Sequence, residues 1–202
     1  MEVVPSGSAT IDTRLLLDFD GSPLGGLPAG RVIHLYGPPC SGVTTFCLSV
    51  FAQCRSGLWV DADLSFPGGR AFGPEHMLLR PGDSGAAWDI YRSLAPVVEC
   101  VVIDSWDGML ANVEGAALSL GWLCQAAGDA TLLVASHLWH NLEEGRDFTY
   151  NEKEWRQLAA VGLHFEKPHE VAVGYSSICQ QGRRVHFDDL PERIRAGLQE
   201  GA

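Results

Sequence analysis

The residues best suited to chemistry are 37–45, which read Gly-Pro-Pro-Cys-Ser-Gly-Val-Thr-Thr. Their spacing follows the phosphate-binding loop pattern G-x-x-x-x-G-K-[S/T], in which backbone N–H groups and a helix N-terminus face a phosphate. The position of the lysine, which neutralises the phosphate oxygens, holds Val43. The sequence therefore predicts a phosphate cradle (residues 37–45) without its cation. Its nucleotide-binding positions are Gly37, Ser41, Gly42, Val43, Thr44 and Thr45.

Polar side chains follow three further apolar runs of the sequence. Asp63 comes after the second run, Asp104 ends the third and His137 follows the fourth. The carboxyl ends of parallel strands meet at one edge of a sheet, so we expect these side chains to lie beside the cradle. Thr44 and Asp104 are the candidate ligands of Mg²⁺, and Asp63 is a candidate for orienting a water molecule towards a γ-phosphate. ATP with Mg²⁺ is a possible ligand, although no cofactor is predicted while the lysine is missing.

The elements that position these residues follow from the alternation of apolar runs and helical patterns. Unbroken apolar runs of this length are typical of strands buried on both faces in a parallel sheet. The predicted strands are 31–36, 58–60, 100–103 and 131–135, and the predicted helices are 42–55, 84–94 and 112–127. This order predicts a doubly wound α/β fold.

The pattern changes after His137. Residues 138–154 are predicted to form a loop, and residues 153–160 a short helix. Alternating polar and apolar residues predict three strands that extend the sheet in antiparallel fashion, followed by a closing helix. These strands are 161–165, 171–175 and 183–187, and the helix is 190–199. We expect one domain over 1–202, with a nucleotide-fold half at 5–137 and the antiparallel part at 155–202.

Composition limits the classes of function. The 202 residues carry a net charge of −11, with only two lysines, which argues against a broad nucleic-acid surface. The six cysteines show no metal-ligand spacing, so we interpret them as buried thiols in a reducing compartment. No apolar run reaches the roughly 18–20 residues that span a bilayer, and no signal-peptide pattern opens the chain. We expect a cytoplasmic protein without a membrane partner.

Several of these motifs together resemble the core ATPase domain of the bacterial RecA recombinases. That family begins with T-G-S-x-x-L-D and G-G-L-P-x-G-R, and this chain has Ser-Gly-Ser-Ala-Thr-Ile-Asp at 6–12 and Gly-Gly-Leu-Pro-Ala-Gly-Arg at 25–31. Residues 60–63 resemble the family's I-D-A-E, 102–105 its V-V-D-S and 134–137 its I-N-Q strand. The likeness covers about residues 5–187. It implies a RecA-like P-loop NTPase fold: a mostly parallel central sheet flanked by helices, with a C-terminal antiparallel extension.

Measured against that family, the active site departs at several positions. Besides Val43, Asp63 replaces the glutamate that activates water, and His137 replaces the glutamine that senses the γ-phosphate. Pro67 and Arg70 lie near the positions where the family holds adenine with Asp and Tyr. The resemblance therefore implies vestigial roles for Asp63 and His137. Arg70 and a side chain of a partner are candidates to substitute for the lysine.

The parts that bind DNA in the RecA family are also reduced. The chain between Asp104 and His137 is short, so the first DNA loop is absent by this alignment. Residues 138–154 replace the second DNA loop and carry five acids against Arg146 and Lys153, which disfavours contact with phosphates. The polymerisation helix and the C-terminal domain of the family have no counterpart, so we do not expect the standard filament. The candidate partner-binding residues are Trp139, Phe148, Tyr150 and Trp155.

Three functions are consistent with these features. The first is a catalytically degenerate RecA-like accessory protein in DNA repair, recombination, damage tolerance or the SOS response, comparable to ImuA-type proteins that accompany an error-prone polymerase. Its partner would be a recombinase or a repair polymerase. The second is a DNA-dependent ATPase that uses a substitute cation. The third is a single-stranded-DNA-binding module based on Arg183, Arg184 and exposed aromatic side chains.

Overall fold

The structure is a computed structural model, and it describes residues 1–64, 66, 73–81, 86–112, 119–191 and 194. Its strands are β1 (Val3–Val4), β2 (Leu27–Pro28), β3 (Val32–Gly37), β4 (Gly57–Asp61), β5 (His76–Leu79), β6 (Cys100–Asp104), β7 (Thr131–His137), β8 (Trp139–Asn141), β9 (Arg146–Phe148), β10 (Val161–Lys167), β11 (Glu170–Ser176) and β12 (Arg184–His186). Its α-helices are α1 (Val43–Phe51), α2 (Ala86–Leu94), α3 (Trp106–Asn112), α4 (Leu120–Ala127) and α5 (Glu152–Leu158). A π-helical segment spans Ile11–Leu15, and a 3-10 turn spans Ala95–Val97.

Eight strands form one central sheet in the order β12-β11-β10-β3-β7-β6-β4-β5. The six strands from β10 to β5 run parallel, and β11 and β12 are added antiparallel. This confirms the predicted α/β fold with an antiparallel extension. All five residues of β4 and of β6 are buried, as their unbroken apolar runs predict for central parallel strands.

Some elements differ from their predicted form. Residues 161–165 lie in β10, which pairs parallel to β3, so the antiparallel part starts one strand later than predicted. The edge strand β5 was not predicted from its four residues. The predicted helix 112–127 is wrong in extent, because α4 begins at Leu120 after the Ser119 side chain caps it. The closing helix 190–199 lies almost wholly outside the described residues.

Residues 138–154 form a hairpin and the start of α5 rather than the predicted loop. Trp139 pairs with Phe148 and Asn141 with Arg146 across β8 and β9. The Asn141 side chain accepts hydrogen bonds from the backbone N–H groups of Glu143 and Glu144, at 2.9 and 3.2 Å, which closes the turn. The hairpin follows directly from the carboxyl end of β7.

Two apolar layers cover the faces of the sheet. On one face α1 and the π-helical segment pack through side chains such as Phe46, Phe51 and Leu15. On the other face α2, α3, α4 and α5 pack against the alternate residues of the same strands, including Val101 and Leu132. The sheet thereby holds its strand ends at fixed positions. Within the described ranges, no helix is both long and apolar enough to cross a membrane.

A buried aromatic stack joins α5 to the centre of the sheet. The His34 ring stacks on Trp155 at 4.5 Å between centroids and on Tyr36 at 4.9 Å. Its Nδ1 lies 2.6 Å from the Tyr175 hydroxyl. Burial lowers the pKa of His34 to about 3, so this imidazole is neutral at physiological pH. Because Trp155 is fully buried, its prediction as a partner-binding residue is wrong.

Candidate functional site

The phosphate cradle lies at the carboxyl edge of the parallel strands, between β3 and α1. It encloses a cavity of about 190 Å³, whose walls come from residues 37–45, Asp104, Ser105 and 135–137. At Gly37 a Cβ would lie 2.3 Å from the Phe165 carbonyl oxygen, so only glycine fits the loop entry. Gly42 adopts a φ of 96°, which lets the loop turn into α1. All six predicted cradle positions line this cavity.

Asp104 and Thr44 meet inside the cavity. The Thr44 hydroxyl donates to Asp104 Oδ1 at 3.3 Å, and the Asp104–Ser105 peptide bond is cis. Burial raises the pKa of Asp104 to about 7, helped by the negative charges of Asp63 and Asp61. The two predicted Mg²⁺ ligands are therefore adjacent. A divalent cation would stabilise the ionised form of Asp104 that burial disfavours.

Three buried polar atoms of the cavity wall have no hydrogen-bond partner among the described residues. They are Ser41 Oγ, Ser136 Oγ and Asp104 Oδ2. Each of these residues is about 3% exposed. Buried polar groups are paired in nearly all proteins, so three unpaired ones around one cavity indicate a polar ligand or bound water.

The other predicted catalytic residue, Asp63, lies beside the cavity rather than in its wall. Its Oδ2 accepts a 2.6 Å hydrogen bond from the Ser105 hydroxyl, and Ser105 itself lines the cavity. Asp63 is exposed to solvent. The Asp63 carboxylate therefore contacts the cavity wall through the side chain of Ser105. Pro67 and Arg70, named for the base pocket, lie outside the described residues.

His137, the last residue of β7, also lines the cavity. Its partner Asp107 was not predicted. The backbone N–H of His137 donates to Asp107 Oδ2 at 2.6 Å, and its Nδ1 lies 3.5 Å from the same oxygen. The Asp107 contact raises the pKa of His137 above its ordinary value. Although burial opposes it, the hydrogen bonds from His137 and Trp139 lower the pKa of Asp107. The one feature of the sequence that pointed to Asp107 is that it is an acidic residue in the first turn of α3.

Three of the four predicted partner-binding residues form an aromatic cluster on the hairpin. Trp139 and Tyr150 are 45% and 46% exposed, and Phe148 is half-buried. Their rings meet edge to face, at 6.2 Å for Trp139–Tyr150 and 5.8 Å for Phe148–Tyr150. Trp139 Nε1 donates to Asp107 Oδ1 at 3.1 Å, so the cluster is anchored beside the cavity.

These residues fit a Mg²⁺-bound nucleotide in part. The loop, the unpaired hydroxyls of Ser41 and Ser136, and the pair Thr44 and Asp104 suit phosphate oxygens and a hard cation. The charge does not fit, because no lysine or arginine occurs among the described residues of the wall, where Val43 stands instead. The described wall of the cradle therefore offers hydroxyl groups, backbone N–H groups and a carboxylate, with Val43 at the position of the lysine.

Comparisons with known proteins agree with this geometry. The family model of the RecA N-terminal domain matches residues 1–115. The chain is 36% identical over 128 residues to Protein RecA of Caulobacter sp. (strain K31), which covers 57% of this chain and 34% of that protein. Protein RecA of Bdellovibrio bacteriovorus is 32% identical over 128 residues, covering 57% and 32% of the two chains. This chain thus spans about a third of the length of the curated relatives it matches.

Structural comparison finds the same fold. The crystal structure of the RadB recombinase matches with a TM-score of 0.59, covering 90% of this chain and 94% of that chain. At 17% sequence identity this likeness concerns the fold alone. The family match covers more than half of the chain and includes β3, α1 and β6, which build the cradle. By that match, the chain belongs to the RecA family.

Proposed function

We propose that this chain acts in DNA recombination, repair or damage tolerance through contacts with another protein, and that it does not hydrolyse ATP efficiently. The observation that carries the proposal is Val43, which stands at the lysine position of a fully formed cradle. Catalysis of phosphoryl transfer is almost entirely positioning and charge stabilisation. Losing one such charge-assisted contact reduces the rate on the order of 10²- to 10⁵-fold.

The surface that supports protein contact is the hairpin surface, defined as Trp139, Leu142, Phe148 and Tyr150. Leu142 at the turn of the hairpin is 88% exposed, and the rings of Trp139 and Tyr150 are nearly half exposed. Exposed aromatic side chains are typical anchors of protein interfaces. Acids surround them, and the guanidinium of Arg146 is already paired with Glu144. This negative charge disfavours contact with a DNA backbone and favours a protein partner. The resemblance to ImuA-type proteins suggests that this partner is a recombinase or a repair polymerase.

Phosphate release tests the absence of catalysis. We expect the wild-type protein and an Asp104→Ala variant to release phosphate from ATP at the same background rate, with and without single-stranded DNA. A Val43→Lys variant supplies the missing cation and serves as the gain-of-function control. Hydrolysis by the wild type that depends on Asp104 would show that the proposal is incorrect.

Binding to purified partners tests the protein contact. Trp139→Ala and Tyr150→Ala should each weaken binding to the recombinase or error-prone polymerase of the same cell by about 2 kcal/mol or more. Val97→Ala is the control. Val97 is 73% exposed, but it precedes β6 and so lies at the amino ends of the parallel strands, whereas the hairpin lies at their carboxyl ends. Equal binding by all three variants would remove the hairpin surface from the proposal.

A second candidate function is nucleotide binding without hydrolysis. It is favoured by the unpaired atoms Ser41 Oγ, Ser136 Oγ and Asp104 Oδ2, which converge on one cavity. Thr44 and Asp104 would hold Mg²⁺, which supplies charge neutralisation of the phosphates when bound. Calorimetric titration with ATP in the presence and absence of Mg²⁺ tests it. Absence of binding at millimolar ATP would leave only the protein-contact function.

A further inference from the structure

The described wall of the cavity contains one side chain that can carry a positive charge, the imidazole of His137. It lies at the carboxyl end of β7, where His137 pairs with Gly37 of β3, and it lines the same cavity as the loop that begins at Gly37. No described residue accepts a hydrogen bond from its Nε2. A protonated imidazole donates from both ring nitrogens, so Nε2 remains free for an anionic ligand.

Asp107 fixes the position and the charge of this imidazole. Its carboxylate receives the His137 backbone N–H at 2.6 Å and the Trp139 indole N–H at 3.1 Å, and it lies 3.5 Å from His137 Nδ1. The Asp107 side chain is only 8% exposed. A carboxylate held by two N–H donors stays ionised, and an ionised neighbour favours the imidazolium. Asp107 is therefore a positioning residue, since it touches His137 and not the cavity.

The other charged groups around His137 act in the same direction. Asp63, after β4, and Asp104, at the end of β6, both raise the pKa of His137, whereas its partial burial lowers it. Together with Asp107 they make the surroundings negative. These charges thereby stabilise an imidazolium at His137. The rest of the described wall offers a phosphate only hydroxyls, backbone N–H groups and Val43.

We propose that His137, held by Asp107, replaces the missing lysine as the cation of the phosphate cradle. The cradle then binds a terminal phosphate group, of a nucleotide or of free phosphate, together with one proton. This deepens the second candidate function, because it identifies the charge that a bound phosphate contacts. It also makes binding sensitive to pH in the range where an imidazole titrates, which a lysine would not do.

Sulfate is the sharpest probe, because it stays doubly charged over this pH range, whereas phosphate groups change their own charge within it. Binding is measured by calorimetry at pH 6 and pH 8 in Asp104→Asn protein, so that the Asp104 carboxyl contributes no pH dependence. We expect sulfate to bind several-fold more tightly at pH 6 than at pH 8, because more of the imidazole is protonated at the lower pH. Adding His137→Gln should weaken binding at pH 6 by roughly 10- to 100-fold and remove the pH dependence.

Two further variants separate the role of His137 from a structural one. Val43→Lys, combined with His137→Gln, should restore sulfate binding without pH dependence. Asp107→Asn should lower the His137 pKa, read from its imidazole proton signals in NMR spectra of the ligand-free protein. Titrations with ADP and with ATP plus Mg²⁺ then distinguish a nucleotide from a free oxyanion as the ligand.

Three results would overturn the proposal. The first is that sulfate binds equally well at pH 6 with and without His137. The second is that Arg70→Gln abolishes binding whereas His137→Gln does not. The third is that sulfate does not bind at pH 6. The last result would leave the protein-contact function intact, because that function requires no ligand in the cradle. Conversely, Asp104-dependent ATP hydrolysis would contradict the proposed function without affecting the role of His137.

Discussion

Replacing His34 by Phe should change how the stability of this protein depends on pH. The folded protein keeps His34 neutral, with a pKa of about 3, whereas an unfolded chain protonates the same residue near its ordinary value of 6.5. Between these two pH values the unfolded state binds more protons, so stability is lost as the pH falls. From pH 8 to pH 5 this one group should lower the free energy of unfolding by about 2 kcal/mol.

Asp104 acts in the opposite direction over almost the same range. Burial raises its pKa from 3.8 to about 7, so between these values the folded state binds more protons and stability falls as the pH rises. From pH 8 to pH 5 it should raise the free energy of unfolding by roughly 2–3 kcal/mol. The two contributions nearly cancel. The wild-type protein should therefore show little pH dependence from this pair.

The variants separate the two contributions. Relative to the wild type, the free energy of unfolding of His34→Phe should gain about 2 kcal/mol between pH 8 and pH 5, and that of Asp104→Asn should lose roughly 2–3 kcal/mol. Urea unfolding followed by fluorescence, at one-unit pH steps, measures both differences, and pH-independent packing effects cancel in the comparison. If the difference between wild type and His34→Phe stays within about 0.5 kcal/mol across that range, the imidazole is not held neutral as described.

Two further predictions concern the framework of the site. Trp155→Ala should cost about 3–5 kcal/mol of folding stability, because the buried ring stacks on His34, whereas Trp139→Ala should cost about 1 kcal/mol or less; thermal and urea unfolding measure both. Equal costs would contradict the assignment of one ring to the core and the other to the surface. Gly37→Ala should destabilise the protein by roughly 1–3 kcal/mol, because its Cβ would lie 2.3 Å from a backbone oxygen, and a differential scanning calorimeter would detect the lower Tm. An unchanged Tm would mean that the cradle loop is free to shift.

The sequence predicted most reliably those features that depend on local pattern. The apolar runs that became β3, β4, β6 and β7 are recognisable because strands buried on both faces carry no alternation. The polar residues that end these strands then had to lie at one edge, which placed Thr44, Asp104 and His137 around one cavity.

Features that depend on packing were missed or misassigned. Trp155 was taken for a surface residue, because nothing in its sequence neighbourhood shows that α5 turns this face towards His34. Asp107 was missed because its contact with His137 joins residues 30 positions apart, and only the folded sheet brings them together. The hairpin was predicted as a loop, since three-residue strands give too short an alternation to recognise.

The two outermost strands of the central sheet are short. The outermost strands, β12 and β5, have only three and four residues, compared with seven in β7 and β10. On β12, Arg184 forms an ion pair with Glu166 and places charge along that border. Short, charged borders are poor templates for an added strand, which protects against strand-to-strand aggregation. Addition of a strand at either of these two described borders is therefore disfavoured.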